Sequence, residues 1–307
     1  MVEASKFVRR WHQFSLRTLL LFVFVCALGC SWLATRLQRA DRQRRAVAAL
    51  RNQWHGFVEY EDRSHDKPSA GSRLQTLLVD DFFNPVVRVD MMGRGTDAAT
   101  VPLDDLPALE MVSFDSSSQL TDAGLVNLRR ARRLFSLDLA NTAVAGDGLA
   151  HLEDLPHLQI LVLRGSRVND AAMKHIQRMR GLVVLDLSKT GITGAGLSLL
   201  EGLGELKTLE LSYTAIGDAD LASLRGMSKL RRLDLCDARH VTDAGLRLLA
   251  DLASLELLDL SGTGVTDAGL CQLAKLARLR WVGLQRTAVT APAAARLHQS
   301  LPGCRID

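Results

Sequence analysis

The sequence predicts an α/β solenoid. Short strands form a parallel sheet on the concave side and short helices lie on the convex side, with one transmembrane helix at the N-terminus. Three observations predict it. A leucine triplet L-x-x-L-x-L returns every 24 residues, a hydroxyl-bearing helix start follows each triplet, and a 17-residue uncharged apolar run lies near the N-terminus.

The repeat is the first element. The triplet is Leu134/Leu137/Leu139, then Leu158/Leu161/Leu163, Leu182/Leu185/Leu187, Leu206/Leu209/Leu211 and Leu230/Leu233/Leu235. It continues as Leu255/Leu258/Leu260 and Leu279/Val282/Leu284, with a weaker early copy at Leu109/Val112/Phe114. One extra residue before Leu120 and one before Val241 stretch two units to 25 residues. A fixed period of this length marks a stacked architecture, because one unit of strand and helix cannot bury its apolar side alone.

The second half of each unit starts a helix. Thr263 to Leu270 (TGVTDAGL) is the clearest copy, with Thr121-Asp122 and Thr242-Asp243 repeating the start and Asn169-Asp170 and Thr193 varying it. Such residues accept hydrogen bonds from unpaired N–H groups at a helix N-terminus. Thr290 with Pro292 carries the same signal, since proline is favoured in the first turn. Leucines three apart, as in Leu197/Leu200/Leu203/Leu206, put one helix face toward the strand. Thr142, Thr190, Thr214, Thr263 and Thr287 recur at one position, where their hydroxyls can bond backbone as the strand turns away.

Near the N-terminus, Thr18 to Ala34 carries no charge and as a helix spans roughly 26 Å, close to the bilayer core. Arg17 and Arg36 bracket it, and Trp11 and Trp32 lie near its ends, where arginine snorkels and tryptophan favours the headgroup level. We read residues 18–34 as a single-pass span and 1–17 as its basic flank. Two alternatives remain: a cleaved signal peptide, and a lipoprotein signal ending in Ala27-Leu28-Gly29-Cys30. Lys6, Arg9, Arg10 and Arg17 on one side nearly balance the arginines from Arg36 to Arg51 on the other, so orientation is open. Residues 35–61 read as an Arg-rich helix, extending the anchor or lying on anionic lipid, with a short strand at 56–60. Residues 62–84 read as a polar linker, with Pro68 and Gly71, and an N-terminal cap that includes Leu74 to Phe83. The solenoid fills 85–307, from a degenerate strand at Val87 and Val89 to a C-terminal cap at 297–307, where Leu301, Cys304 and Ile306 form a truncated triplet.

The pattern L-x-x-L-x-L-x-x-T-x-V-T-D-A-G-L resembles the leucine-rich-repeat superfamily, most of all its ribonuclease-inhibitor-like and cysteine-containing types. Anchor, Arg-rich helix and repeats together are similar to bacterial membrane-anchored leucine-rich-repeat proteins. The resemblance implies recognition of a protein partner on the concave sheet.

Strand alternation sends the residues beside the strand leucines out over that sheet. One column is Met111, Ser136, Ile160, Val184, Thr208, Arg232, Leu257 and Trp281. A second is Ser113, Asp138, Val162, Asp186, Glu210, Asp234, Asp259 and Gly283, and a third runs from Asp115 through Ala140, Arg164, Ser188, Ser212, Cys236 and Ser261 to Gln285. Five of eight residues in the second column are acidic, and like charges on strands about 4.8 Å apart repel. The candidate partner-binding residues are therefore Asp138, Asp186, Glu210, Asp234 and Asp259 with Trp281, Leu257 and Arg232. A basic or polar partner would relieve the repulsion, and aromatic and arginine side chains anchor interfaces. The plainer readings are that the acids are repeat consensus, that Trp281 packs on the C-terminal cap, and that Arg164 and Arg232 form ion pairs along the sheet.

Charge and motifs narrow the function classes. The net charge of +4 conceals ten Lys/Arg against three Asp/Glu in residues 1–60, and 28 against 31 in the rest, so the solenoid offers no basic excess for nucleic acid. The five cysteines, Cys26, Cys30, Cys236, Cys271 and Cys304, form no C-x-x-C pair, and neither a disulfide framework nor a metal site is expected. HExxH, P-loop, GxSxG and GxGxxG motifs are absent, His151 and His157 have no third ligand, and no cofactor is expected. The expectation is a non-catalytic, membrane-anchored binding scaffold. The alternatives are an envelope protein that packs on its own copies and, with least support, a hydrolase or metal-dependent enzyme. The repeat assignment makes Leu209→Ala cost about 2–5 kcal/mol in a urea melt, as a core truncation does, and a loss below a few tenths would remove Leu209 from the core.

Overall fold

The computed structural model describes residues 16–61 and 84–307. The basic flank with Trp11, the polar stretch with Pro68 and Gly71, and the cap segment from Leu74 to Phe83 lie outside the described residues. Eleven strands form one sheet in sequence order. They are β1 (Phe57–Tyr60), β2 (Val86–Asp90), β3 (Met111–Ser113), β4 (Ser136–Asp138), β5 (Ile160–Val162), β6 (Val184–Asp186), β7 (Thr208–Glu210), β8 (Arg232–Asp234), β9 (Leu257–Asp259), β10 (Trp281–Gly283) and β11 (Arg305–Ile306). β1 pairs antiparallel with β2, and every later pairing is parallel. Equivalent residues stand side by side, as Leu185, Leu209, Leu233 and Leu258 do. Most repeat leucines have no solvent exposure, and together they form one continuous core.

The strands stop after about three residues because the chain turns at once. The third residue beyond each strand's last paired position sits in the left-handed region: Asn141 at φ 55°, Lys189 at 56°, Tyr213 at 57° and Arg286 at 57°. That conformation costs a non-glycine residue about 1 kcal/mol. Glycine occupies the same place at Gly165 and Gly262. The next residue repays the turn locally, since Thr142, Thr190, Thr214, Thr263 and Thr287 each donate to the carbonyl three residues back, at 2.5–2.8 Å. The hydroxyls thus close each turn within its own unit.

The convex helices are short. Those at Asp122–Leu128 and Asp218–Leu224 are 3-10 helices, whereas Asp243–Leu249 and Asp267–Leu273 are α-helical. Seven residues give only about two turns, a length at which the tighter helix competes.

The helix starts explain the T-D-A-G-L signature. Thr121, Thr193, Thr242 and Thr266 each accept a hydrogen bond from the N–H two residues on. The following aspartate serves the next unit. Asp218 accepts Thr242 N–H and Thr242 Oγ1–H, both at 2.6 Å, and Gly245 N–H at 2.9 Å. Asp97 with Thr121, Asp170 with Thr193, Asp243 with Thr266 and Asp267 with Thr290 repeat the paired bonds. Thr290 makes no cap bond to its own helix, whose first turn contains Pro292. The glycine leaves room for the carboxylate: a Cβ on Gly245 would lie 2.5 Å from Asp218 Oδ1, and Gly196 and Gly269 face Asp170 and Asp243 in the same way.

Both ends are closed. A continuous helix α1 (Leu16–Trp54) carries the apolar run and continues through the Arg-rich segment. Ala46, Val47 and Leu50 on its second half are buried with Val58, Val86 and Val89 of β1 and β2. Its first half, from Leu19 to Leu37, exposes its large apolar side chains, and α1 is long and apolar enough to cross a membrane. At the other end β11 pairs with β10, over buried Leu301 and Cys304.

The glycine–aspartate contact predicts a coupled pair. Gly245→Ala is expected to destabilise by about 1–3 kcal/mol through overpacking. In an Asp218→Ala background the same change should cost at least about 0.5 kcal/mol less, a coupling measurable by a double-mutant cycle of denaturation midpoints. Simple additivity would remove the carboxylate from the glycine's role.

Candidate functional site

The strand register assembles the candidate residues into one surface. Asp186, Glu210, Asp234 and Asp259 stand on adjacent strands in a single row, with Asp138 two strands before Asp186. Arg232, Leu257 and Trp281 form the neighbouring row on β8, β9 and β10. Together with Asp234 and Asp259 they line a hollow of about 260 Å³ on the concave face.

Most of the acidic row holds the strand turns. Asp138 Oδ1 accepts Ala140 N–H at 2.9 Å, Asp186 accepts Ser188 N–H at 2.8 Å, Asp234 accepts Cys236 N–H at 2.8 Å and Asp259 accepts Ser261 N–H at 2.9 Å. An aspartate bonding the N–H two residues on is the usual way to brace a turn. Asp186 is only 7% exposed. Glu210, one carbon longer, takes Arg232 instead, at 3.2 Å. Burial, followed by the charge of Asp186, raises the Glu210 pKa above the ordinary carboxylate range against the opposing pull of Arg232. Burial also raises Asp138, with Asp115, Asp186 and Asp90 adding to the effect.

Trp281 does two things. Its indole N–H donates to Asp307 Oδ2 at 2.7 Å, tying β10 to the C-terminal cap. Its ring lies over Gly283, where a Cβ would meet Trp281 Cη2 at 2.7 Å and Asp259 Oδ1 at 2.5 Å. Gly283 therefore interrupts the acidic row because the ring and a carboxylate fill that space. Trp281 is half-buried rather than freely exposed.

The third column is corrected by the structure. Ala140, Ser188, Ser212 and Ser261 are buried while Asp115 and Gln285 stay exposed, so this column is only partly open. Strict alternation applies only within the three-residue strands, and these residues already belong to the turn. Cys236 in this column is half-buried, and burial with Asp259, Asp234 and Asp237 pushes its thiol up to about 11, which keeps it protonated near neutral pH.

Two features of the turn edge were not readable from the repeat. Asp237 is buried, which alone would raise its pKa, but hydrogen bonds from Arg286 and Tyr213 pull it below the usual range. Arg286 reaches it at 2.7 Å across Gly262, two units away. The Lys189 ammonium lies 5.1 Å from the Tyr213 ring centre on the same edge. A second hollow of about 650 Å³ lies at the N-terminal end of the concave face, between Arg88, Asp90, Met111, Ser113 and Asp138. No group of His, Cys, Asp and Glu able to hold a metal occurs among the described residues.

The raised carboxylates give a signed pH dependence. Between their unfolded range and their higher folded values, Asp138 and Glu210 hold more proton in the native chain than in the unfolded one. The stability these two groups contribute therefore falls as pH rises through that window. Glu210→Gln is expected to flatten this fall and to leave the chain as stable or more stable at neutral pH, read from urea midpoints across the acidic range. An unchanged slope would assign the dependence to other groups.

Comparisons with known proteins agree with the ladder. The leucine-rich-repeat family matches residues 180–238, and a second leucine-rich-repeat family matches residues 252–274. No curated protein matches by sequence. Among solved structures the chain is similar to internalin C2 of Listeria monocytogenes, at 25% identity and a TM-score of 0.51, covering 68% of this chain and 84% of that one. It is also similar in fold to a TDR receptor, at 15% identity and a TM-score of 0.51, covering 72% of this chain and 42% of that one. The register, the repeat matches and these neighbours lead to one conclusion: the chain is a leucine-rich-repeat solenoid.

Proposed function

We propose that this protein is a membrane-anchored, non-catalytic scaffold that binds a protein partner on its concave face, around Glu210, Arg232, Leu257 and Trp281. The observation that carries this reading is the hollow beside Trp281. There an aliphatic side chain, an aromatic ring and both signs of charge meet on a rigid sheet. Anchors of this kind dominate protein interfaces. Leucine-rich-repeat proteins typically serve as interaction scaffolds, which supports the class. Glu210, Arg232 and Leu257 brace no strand turn, whereas Asp138, Asp186, Asp234 and Asp259 do. The row as a whole supplies a negative field suited to a basic segment, and Glu210 is its adaptable member.

Membrane anchoring rests on α1, whose apolar half is exposed and long enough to span. A cleaved leader and lipidation at Cys30 are the competing fates of that segment.

The structure selects the test. Glu210→Lys with Leu257→Ser leaves the turn-bracing aspartates and the Trp281–Asp307 bond in place, so circular dichroism should be unchanged. Crosslinked membrane pull-down is expected to capture a specific protein with the intact chain and to lose it with the variant. An unchanged captured set would move binding to the convex side or to self-association. The intact mass of the membrane-extracted chain decides the anchor: full length fits a span, while loss of the first residues or an added lipid at Cys30 overturns it.

A further inference from the structure

The direction of the chain fixes which edge of the solenoid lies beside the anchor. Near the middle of α1, Gln43 donates to Asn84 O at 3.0 Å and accepts Val86 N–H at 3.4 Å, at the start of β2. Further along α1, Leu50 O accepts Gly56 N–H at 2.9 Å, and Gly56 faces Asp90 and Met91 at the end of β2. β2 therefore runs alongside α1 in the same direction, away from residues 18–34. Since β3 to β11 are parallel to β2, the N-terminal end of each strand lies on the anchor side. From Ala34 to Gln43 the helix rises only about 14 Å, and ten parallel strands extend that edge for about 43 Å.

The two edges differ in charge. The helix-to-strand turns on the anchor side are residues 104–110, 129–135, 153–159, 177–183, 201–207, 225–231, 250–256 and 274–280. They hold thirteen Lys/Arg against nine Asp/Glu, and all thirteen basic residues are exposed. The strand-to-helix turns on the far side, each taken with the first residues of the helix that follows, are residues 114–122, 139–147, 163–170, 187–194, 211–220, 235–243, 260–267 and 284–291. They hold five against nine. The anchor-side edge is thus net positive and the far edge net negative.

Some of this basic charge is paired along the edge, as Arg130 is with Asp104, Arg178 with Glu153 and Lys229 with Glu205. Arg129, Arg132, Arg278 and Arg280 form no ion pair among the described residues. Two further features suit a lipid surface. Phe135, 38% exposed, stands beside the Arg129–Arg133 cluster. Near the other end of the edge a depression of about 800 Å³ is lined by Arg231, Arg278 and Arg280 with Glu256 and the Pro302–Gly303 turn. On α1 itself Arg36, Arg39 and Arg42 are exposed just beyond the apolar run.

The geometry points to an interaction surface for anionic phospholipid headgroups: the arginine-bearing helix-to-strand edge lies along the membrane that α1 crosses. This rests on the reading of α1 as a span. Basic residues near an anionic surface are drawn to it, an attraction that fades within a Debye length. In this arrangement the concave sheet opens parallel to the membrane and stays free for its partner.

The test uses the full chain in nanodiscs, of phosphatidylcholine alone or with phosphatidylglycerol, followed by hydrogen exchange. Anionic lipid is expected to slow exchange in residues 129–135 and 274–280 by about threefold or more, a change reversed by high salt. Residues 114–122 and 163–170 on the far edge should be unaffected. Arg129→Glu, Arg132→Glu, Arg278→Glu and Arg280→Glu together should abolish the slowing, and the salt reversal in the unaltered chain tests the same point if that variant misfolds. Equal exchange in both lipids, or slowing on both edges alike, overturns the proposal. Amides of residues 19–34 report separately: protected in both lipids, they uphold the span whatever the edge does, and freely exchanging, they remove the span and this proposal with it.

Discussion

No unit of this solenoid has enough apolar neighbours to bury its own leucines, and everything else follows from that shortage. Each strand of about three residues and each helix of one or two turns is stable only between two copies of itself. The core is therefore continuous from Leu50 in α1 to Cys304 at the far end. Stacking also needs a register, and the aspartate at most helix starts supplies one. It reaches forward to the backbone and hydroxyl of the next helix start, while a glycine on that helix makes room for it. Leucines drive the stacking without direction, and the carboxylate bonds fix the spacing.

The same economy shapes the concave face. Its acidic row looks like a binding device in a linear reading, but four of its five members brace the strand turns. Repeating a turn-bracing aspartate on neighbouring strands sets like charges close together. The chain relieves this with Arg232 beside Glu210, with uncharged Val162, and with Gly283 under the Trp281 ring. Glu210, Arg232 and Leu257 are members of this face that brace no strand turn.

Helix α1 joins two physical roles in one rigid element. Its first half exposes apolar side chains along a length sufficient for a bilayer, and its second half closes the core that the first repeat would otherwise expose. A helix uninterrupted between those halves gives the solenoid little freedom to turn relative to the apolar half of α1. The edge of the ladder nearest the apolar half of α1 is consequently a defined surface.

The period, the strand positions, the inward leucines, the hydroxyl at each turn and the apolar segment were all determined by the sequence, because each depends on spacing within about one unit. The two concave columns were legible for the same reason, since side-chain alternation is a property of the strand itself. The tertiary structure decided what depends on neighbours. It set the forward reach of Asp218 to Thr242, the burial of Ser188 and Ser212 where alternation gives way to the turn, and the contact of Arg286 with Asp237 two units away. It also decided which edge adjoins α1, because that depends on β1 turning back antiparallel to β2, a choice of direction that no periodicity encodes.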